Sequence, residues 1–321
     1  MLFKKKILYK DWLWYWMQKK KDYIKESTYS NYSNIISNHI IPELGNIKIS
    51  NLNNKLIQEY LINKYKTGRL DGNGGLSYKT IRDIIAVVKS SLKYAIKEEM
   101  INNINLDFTY PKIGNKDKIY TMPKKDQERL ITYIKQNEDT RSLGVLLALY
   151  SGIRIGELCA LQWKDIDFKN NILHINKTLQ RIYIKDNKES VSKIIITNPK
   201  THNAERDIPL NKKFAHILKK YQTESNNYIL SNCDKWIEPR TYRRYFKKCL
   251  DKAKIGQINF HGLRHTFATN CIKLGVDYKT VSELLGHANV NITLNLYVHP
   301  HMSQKKKCID LICKNFYEKS P

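Results

Sequence analysis

The chain of 321 residues carries 56 Lys and Arg against 30 Asp and Glu, a formal net charge of +26 at pH 7. With 41% hydrophobic residues it can bury the cores of two domains, which excludes an intrinsically disordered protein. The charge excludes an acidic protein and indicates a polyanionic partner, either nucleic acid or an anionic membrane surface. Residues 1–110 contribute +8 and the remainder +18, so both halves are basic.

The apolar runs and the cysteines predict the cellular compartment of the protein. No uninterrupted apolar run approaches the roughly 20 residues that a membrane-spanning helix needs, so we expect no membrane partner. The six cysteines are scattered without a Cys-x-x-Cys pair, which predicts reduced thiols in the cytoplasm and no zinc site.

The first 110 residues predict a bundle of four or five helices, because apolar residues recur there at helical spacing. Ser27 is expected to cap the second helix, and the pentapeptide IPELG (residues 41–45) is expected to break the chain after it. The predicted helices are Lys10–Lys20, Thr28–His39, Asn54–Lys66 and Ser77–Glu99.

Periodicity is lost over Leu106–Pro123, which predicts a linker at 111–123 between domains 1–110 and 124–321. In the second domain, Ser192–Thr197 and Asp207–Leu210 are expected to form a hairpin that carries Lys200 near its tip. The predicted fold is therefore mainly α with a small antiparallel sheet, a helical bundle followed by a mixed α/β domain. The other predicted elements are a strand at Asn171–Asn176 and helices at Lys124–Gln136, Ser142–Tyr150, Lys212–Tyr221, Arg240–Lys252, His261–Leu274, Thr280–Leu285 and Ile292–Tyr297.

Four segments of the second domain carry residues that can act together on a phosphodiester. The octapeptide SGIRIGEL places Arg154 at the start of a helix, just after a glycine turn. The pentapeptide HGLRH places His261 and Arg264 on one face of a helix. The segment LLGH ends at His287, and Tyr297 follows ten residues later.

These residue types suit phosphoryl transfer without a metal ion. Two guanidiniums bind the non-bridging oxygens of a phosphodiester and offset the charge of its transition state. A phenol can attack the phosphorus and form a covalent ester, and lysine and histidine can move the protons. We therefore expect no cofactor. Asp165 and Asp167 are interpreted as part of a turn rather than as a metal site.

The four segments, in this order, resemble the signature of the tyrosine recombinase (phage integrase) family: Gly-x-Arg-x-x-Glu-Leu, His-x-x-Arg-His, Leu-Gly-His and a terminal tyrosine. The likeness covers residues 124–299, the tyrosine-recombinase catalytic domain, and the bundle resembles the SAM-like core-site DNA-binding domain of that family. It implies a site-specific recombinase that cleaves and rejoins double-stranded DNA through a 3′-phosphotyrosine. It also implies a homotetramer on paired sites, accessory proteins that bend DNA or set direction, and the integration and excision of a mobile element.

The resemblance implies a role for each residue of the signature. Arg154 and Arg264 would clamp the scissile phosphate, and Tyr297 would be the nucleophile. His261 and His287 would donate hydrogen bonds and assist proton transfer.

Three further roles concern the leaving group, the first arginine and the helix of the second arginine. Lys200 would protonate the 5′ oxygen, with Lys188 and Lys193 as rivals in the sequence. Glu157 would orient Arg154, and His265 would support the helix of Arg264.

DNA contacts and assembly are expected from residues outside the signature. The stripe over Ser303–Glu318 that contains Cys308, Ile309, Ile312 and Phe316 would pack either on its own domain or on a neighbouring protomer. The following side chains form a basic set that either contacts the DNA backbone or is merely solvated: Lys79, Arg82, Lys89, Lys93, Arg240, Arg243 and Arg244.

Three alternatives remain open at this stage. A Xer-like recombinase that resolves chromosome or plasmid dimers shares the signature. Since the predicted bundle begins almost at residue 1, we expect no arm-binding domain such as many integrases carry, which favours this alternative. A type IB topoisomerase shares the chemistry but acts without a specific site. A non-catalytic DNA-binding regulator would keep the fold and lose the reaction.

Overall fold

The computed structural model describes residues 7–110, 120–185, 190–198 and 204–297, together with residues 302, 306 and 309–313. It confirms a mainly helical protein with small antiparallel sheets. The chain divides into two compact units. The first comprises Met1–Asp117 with Arg181–Ile194, and the second comprises Lys118–Gln180 with Ile195–Pro321. Residues 111–119 of the expected linker lie outside the described residues, so that boundary stays a prediction.

The first unit is a helical bundle around an aromatic-rich core. Its longest helix buries its apolar face, as the sequence predicted, while Trp12 and Trp16 of the first helix are 2% and 0% exposed. The hydroxyl of Tyr9 lies 2.8 Å from Ser91 Oγ, which ties the first helix to the longest one. The helices are α1 (Tyr9–Lys20), α2 (Glu26–Ile35), α3 (Ile41–Leu44), α4 (Asn54–Thr67) and α5 (Tyr78–Lys97).

The predicted chain break at IPELG is wrong, because α2 continues into α3 through a π-helical turn at Ile36–Ile40. Pro42 lies two residues after this π turn and has no N–H to donate to the preceding helical turn. The wide π turn absorbs the change of register. The predicted cap is also wrong, since Lys25 holds the N-cap position and Ser27 lies inside the helix.

Among its described residues, the second unit contains eight α-helices with defined bounds and a further helical stretch at residues 309–313. It also contains three complete strands and parts of two others, whose remaining residues belong to the first unit. The helices are α6 (Lys124–Gln136), α7 (Thr140–Ser151), α8 (Ile155–Ala160), α9 (Lys212–Lys219), α10 (Pro239–Lys252), α11 (His261–Lys273), α12 (Tyr278–Leu285) and α13 (Val290–Tyr297). The strands of the chain are β1 (Ile166–Asp167), β2 (Ile172–Ile175), β3 (Thr178–Lys185), β4 (Ser190–Thr197) and β5 (Arg206–Pro209).

The predicted hairpin between Ser192–Thr197 and Asp207–Leu210 is wrong. In the described residues, β4 forms a two-stranded sheet with β3, whereas β5 pairs antiparallel with β2 in the order β1-β2-β5. Leu173 lies opposite Ile208 in that register, and both side chains are buried. The shared burial of two apolar residues distant in sequence therefore decides the pairing, and it overrides the pairing of neighbours along the chain.

The turn between α7 and α8 brings three helices together. Gly152 ends α7 in the left-handed conformation with φ of 65°. A Cβ atom there would lie 2.6 Å from Phe267 of α11 and 2.8 Å from Leu285 of α12. Only glycine allows this approach, and it places the first residue of α8 beside both helices.

Candidate active site

Arg154 occupies the N-cap position of α8, as the sequence predicted, with φ of −77° and ψ of 151°. Its Nη1 donates to Glu157 Oε1 at 2.7 Å, and its main-chain N–H donates to Oε2 at 2.8 Å. Its Nη2 donates to the carbonyl oxygen of Gly286 at 3.2 Å. The buried carboxylate of Glu157 thereby fixes the direction of the guanidinium.

Arg264 of α11 is 2% exposed, and one of its donors lacks a partner in the described part of the chain. Its Nη1 donates to the carbonyl oxygen of Gly152 at 2.9 Å, but its buried Nη2 has no hydrogen-bond partner among the described residues. Burial and the nearby charge of Arg154 lower the pKa of Arg264 to about 9. Buried donors are nearly always paired in folded proteins, so this position suits an anionic oxygen.

Two histidines of the signature lie close to these arginines and are neutral at neutral pH. Burial, followed by the charges of His265, Arg264 and Arg154, lowers the pKa of His261 to about 4. Burial and the charges of the arginines also lower the pKa of His287 to about 4. The Nδ1 atom of His287 lies 2.9 Å from a threonine hydroxyl on α13, which holds its ring.

The last residue of α13, Tyr297, reaches the same group of side chains. Its hydroxyl lies 2.7 Å from Nδ1 of His265, and the ring of His265 packs edge-on against His261 at a centroid separation of 4.6 Å. Burial raises the pKa of Tyr297, although Arg264 and Arg154 oppose the shift, so the phenol is protonated at neutral pH. His265 was expected only to support the helix of Arg264, and its contact with Tyr297 was not predicted.

A cleft of about 480 Å³ opens beside Arg154 and His261. Arg243 and Lys247 of α10 line it one helical turn apart, together with apolar side chains such as Phe246. Of the basic residues predicted on α10, Arg243 therefore faces the site. Lys247, which the sequence analysis did not select, does so as well.

Two known protein-family models match the chain. A model described as the phage integrase family matches residues 121–304, and a model described as the phage integrase N-terminal SAM-like domain matches residues 8–65. The chain belongs to the phage integrase family. The expected tyrosine recombinase, a site-specific recombinase with a SAM-like bundle and a mixed α/β domain, is thereby confirmed.

Curated relatives of this integrase-family protein carry names from mobile elements and from the Xer group. A protein of Caldanaerobacter subterraneus named tyrosine recombinase XerC-like is 29% identical over 90% of the chain and 78% of its own length. The ICEBs1 integrase of Bacillus subtilis is 24% identical over 89% of the chain and 77% of its own length. The transposase from transposon Tn916 of Enterococcus faecalis is 27% identical, and the match covers 70% of the chain and 59% of that protein.

Solved integrase structures share the fold. The Tn1549 transposon integrase in complex with transposon right end DNA has a TM-score of 0.73 and 20% identity, covering 96% of the chain and 100% of its own. A lambda integrase dimer bound to a COC′ core site has a TM-score of 0.62 and 18% identity, covering 91% and 96%.

Several predicted site residues of this integrase-family chain lie outside the described residues. Lys200 and its rival Lys188 are among them, whereas the other rival, Lys193, forms an ion pair with Glu26 in the first unit. Cys308 and Phe316 of the predicted C-terminal stripe are also outside. Residues 309–313 of that stripe are helical and exposed.

The basic residues predicted on α5 differ in exposure. Lys79, Arg82 and Lys93 are exposed, but the ammonium of Lys89 lies 5.4 Å from the ring centroid of the buried Phe108. Lys89 is therefore engaged with the core of the bundle. On α10, both remaining candidates, Arg240 and Arg244, are exposed.

Two features of the described residues bear on cofactors and membranes. They contain no group of three or more His, Cys, Asp or Glu side chains able to hold a metal ion. Among the same residues, no helix combines the length and the apolarity needed to cross a bilayer. Asp165 forms a buried ion pair with Lys177 at 2.8 Å, and Asp167 accepts the main-chain N–H of Lys169 in a turn.

The depressed histidine pKa values predict that the protein loses stability as the pH falls from about 6.5 toward about 4. In this range His261 and His287 bind protons in the unfolded chain but not in the folded protein, so protonation favours unfolding. Melting temperatures measured across the range should fall with pH, and the double variant His261→Asn/His287→Asn should show a flatter decline. An equally steep decline in the variant would contradict the assignment.

Proposed function

We propose that this chain is an integrase that inserts and excises a mobile genetic element by cutting and rejoining duplex DNA at specific sites. The observation that carries the proposal is the convergence, within one compact unit, of two arginines and a half-buried phenol. One of those arginines has a donor that meets no partner within the described residues. The names of the ICEBs1 and Tn916 relatives support the mobile-element role.

Arg154 and Arg264 act as the phosphate clamp in this proposal. The free Nη2 of Arg264 donates to one non-bridging oxygen of the scissile phosphate, and Arg154 donates to the other from the rim of the cleft. Charge-assisted hydrogen bonds of this kind strengthen as negative charge builds on the phosphoryl oxygens in the transition state. Because the guanidiniums supply the positive charge, the reaction requires no metal ion. Because the phosphotyrosine ester conserves the energy of the broken bond, rejoining requires no nucleotide.

Tyr297 attacks the phosphorus, and its proton passes to a neutral histidine. His265 is placed to accept it, because its Nδ1 lies 2.7 Å from the phenolic oxygen. The new bond joins the tyrosine oxygen to the 3′ phosphate, and the bond from phosphorus to the 5′ oxygen breaks. Lys200 protonates that leaving oxygen, while His261 and His287 donate hydrogen bonds to the phosphate. Attack of a 5′ hydroxyl from the partner duplex reverses these steps and rejoins the strands.

Duplex DNA is the proposed partner, and its binding is expected to depend steeply on salt. The basic side chains of α5 and α10 supply phosphate contacts, and the logarithm of the affinity should fall linearly with that of the salt concentration. Replacing Arg240 and Arg244 by alanine should lower the slope by about 1 for each contact. A flat affinity, or an equal effect of the control Arg129→Ala at an exposed surface ion pair, would contradict this interface.

The proposed assembly is a homotetramer on two paired sites, acting in the cytoplasm with accessory DNA-bending or directionality proteins. The exposed apolar side chains of Ile309 and Ile312, 59% and 50% exposed, support docking of the C-terminal helix on a neighbouring protomer. Deleting residues 303–321 should then abolish synaptic complexes and spare binding to a half-site. An unchanged tetramer yield on paired sites would reject docking in trans.

A recombination assay tests the proposed function. Duplexes enriched from a random-sequence pool for binding to the protein are joined in pairs on a plasmid, in direct or inverted orientation, and incubated without metal or nucleotide. We expect excision and inversion products with defined ends. Binding without any strand exchange would favour a DNA-binding regulator. Relaxation of plasmids that lack the site would favour a topoisomerase. Products from a host dimer-resolution site, with none from element ends, would favour the Xer-like role that the name of one relative suggests.

A further inference from the structure

Arg206 is a buried arginine that the signature does not contain. It opens β5, six residues after Lys200, and its side chain is 6% exposed. A lone arginine beside a short strand carries no motif, so the sequence offered no reason to select it.

The guanidinium of Arg206 forms a fork on the carboxylate of Glu157. Its Nη2 donates to Oε2 at 2.9 Å and its Nη1 to Oε1 at 3.3 Å. The same two oxygens accept the side chain and the main-chain N–H of Arg154. One carboxylate is thus shared by two arginines, and each of its oxygens is used twice.

The remaining contacts of Arg206 reach two other parts of the site. Its Nε donates to the carbonyl oxygen of Leu284 at 2.6 Å, near the end of α12 and just before Gly286 and His287. Its Nη1 also donates to the carbonyl oxygen of Ala204 at 3.1 Å, which anchors the described end of the connection between β4 and β5. Arg206 therefore contacts Glu157, which holds Arg154, and the segment that leads to His287.

We propose that Arg206 is a positioning residue of the recombination site. Through the carboxylate of Glu157 and the carbonyl of Leu284, it holds Arg154 and the segment of His287 in the arrangement that binds the scissile phosphate. The inference rests on the proposed function, because that arrangement matters only if the site cleaves DNA.

The charges of the site explain why an arginine performs this task better than an apolar residue of similar size. Burial alone would raise the pKa of the Glu157 carboxyl, but Arg206, with help from Arg154, holds that pKa below its ordinary value. The charge of Arg264 on α11 also attracts this carboxylate. The positive charge of Arg206 additionally contributes to the low pKa of His287. Arg206 thus keeps the carboxylate ionised and adds to the positive potential of the site.

The test measures the single-turnover rate at which wild type and Arg206 variants form the covalent adduct on a duplex nicked near the cleavage point. The temperature is kept well below the melting transition of each protein. Arg206→Met should lower the rate on the order of 10²-fold, the cost of a small misplacement of Arg154, without changing half-site affinity. Arg206→Lys keeps the charge but loses the fork, so its rate should lie between those of Arg206→Met and wild type.

The pH profile separates positioning from simple stabilisation. Without Arg206 the buried carboxyl of Glu157 should take up a proton more readily, so the rate of Arg206→Met relative to wild type should fall from about pH 8 to about pH 6. The double variant Glu157→Gln/Arg206→Met has no carboxyl to titrate there, so its rate relative to wild type should not depend on pH. The matched control Lys177→Met removes another buried ion pair of the same unit, and it should lower the melting temperature but not the rate.

The outcomes distinguish the two claims. A folded Arg206→Met that cleaves at the wild-type rate, or a relative rate independent of pH, would overturn the positioning role while leaving the recombinase intact. An equal loss of rate in Lys177→Met would do the same. If Arg206→Met does not fold, Arg206→Lys becomes the deciding variant. A wild-type rate of adduct formation by Arg206→Lys would then overturn the positioning role. Absence of any adduct from the wild-type protein would overturn the proposed function and this inference with it.

Discussion

Tyr297→Phe is expected to abolish covalent attachment of the protein to DNA and to leave half-site binding nearly unchanged. The phenyl ring keeps the packing beside α11 and α12, where Tyr297 contacts their apolar cluster, but it has no oxygen to attack the phosphorus. The measurement is the yield of protein–DNA adduct on a nicked duplex, resolved on a denaturing gel.

The control for this prediction is another tyrosine of the same unit. Tyr150→Phe removes a phenolic oxygen from a ring that is 44% exposed and packs edge-on against Phe214. Its adduct yield should equal that of the wild type. Adduct formation by Tyr297→Phe, or its loss in Tyr150→Phe, would contradict the assignment of the nucleophile.

Glu157→Ala is expected to destabilise the protein strongly as well as to inactivate it. The substitution leaves the guanidinium of Arg206 buried without its carboxylate, and breaking a buried ion pair from one side costs about 3–5 kcal/mol. For a unit of this size, each kcal/mol corresponds to about 2–4 °C in melting temperature. Thermal or denaturant unfolding of the purified protein measures the loss.

Two further variants check the cause. Glu283→Gln, at an exposed carboxylate on α12, should change the free energy of unfolding by less than about 0.5 kcal/mol. Glu157→Gln/Arg206→Met removes the second charge with the first and should be more stable than Glu157→Ala. A Glu157→Ala variant as stable as the wild type would show that the pair does not hold the site together.

The local parts of the site were predictable because several of its residues lie close together in short segments of the sequence. Gly152 and Arg154 lie two residues apart, so a glycine turn followed by a helix start could be recognised without any tertiary information. The helical spacing of HGLRH likewise placed His261 and Arg264 together. The long amphipathic helix α5 was predicted almost to the residue, since one strongly periodic face specifies it.

The parts that were missed depend on contacts between residues far apart in sequence. The pairing of β5 with β2 is decided by a shared core, and Arg206 acquires its partners only once that pairing exists. The contact between His265 and Tyr297 needs the packing of α13 beside α11. The π turn before Pro42 reflects a local compromise that propensity rules do not describe.

The most direct measurement is the identity of the residue that carries the DNA. Wild-type protein trapped on the nicked duplex is digested with protease and nuclease, and the peptide that retains a nucleotide is sequenced by mass spectrometry. We expect a phosphotyrosine at Tyr297, formed without metal ions and absent from Arg264→Ala, which lacks half of the phosphate clamp. A nucleotide on any other residue, or a full yield of adduct from Arg264→Ala, would contradict the claim that two guanidiniums present the phosphate to this phenol.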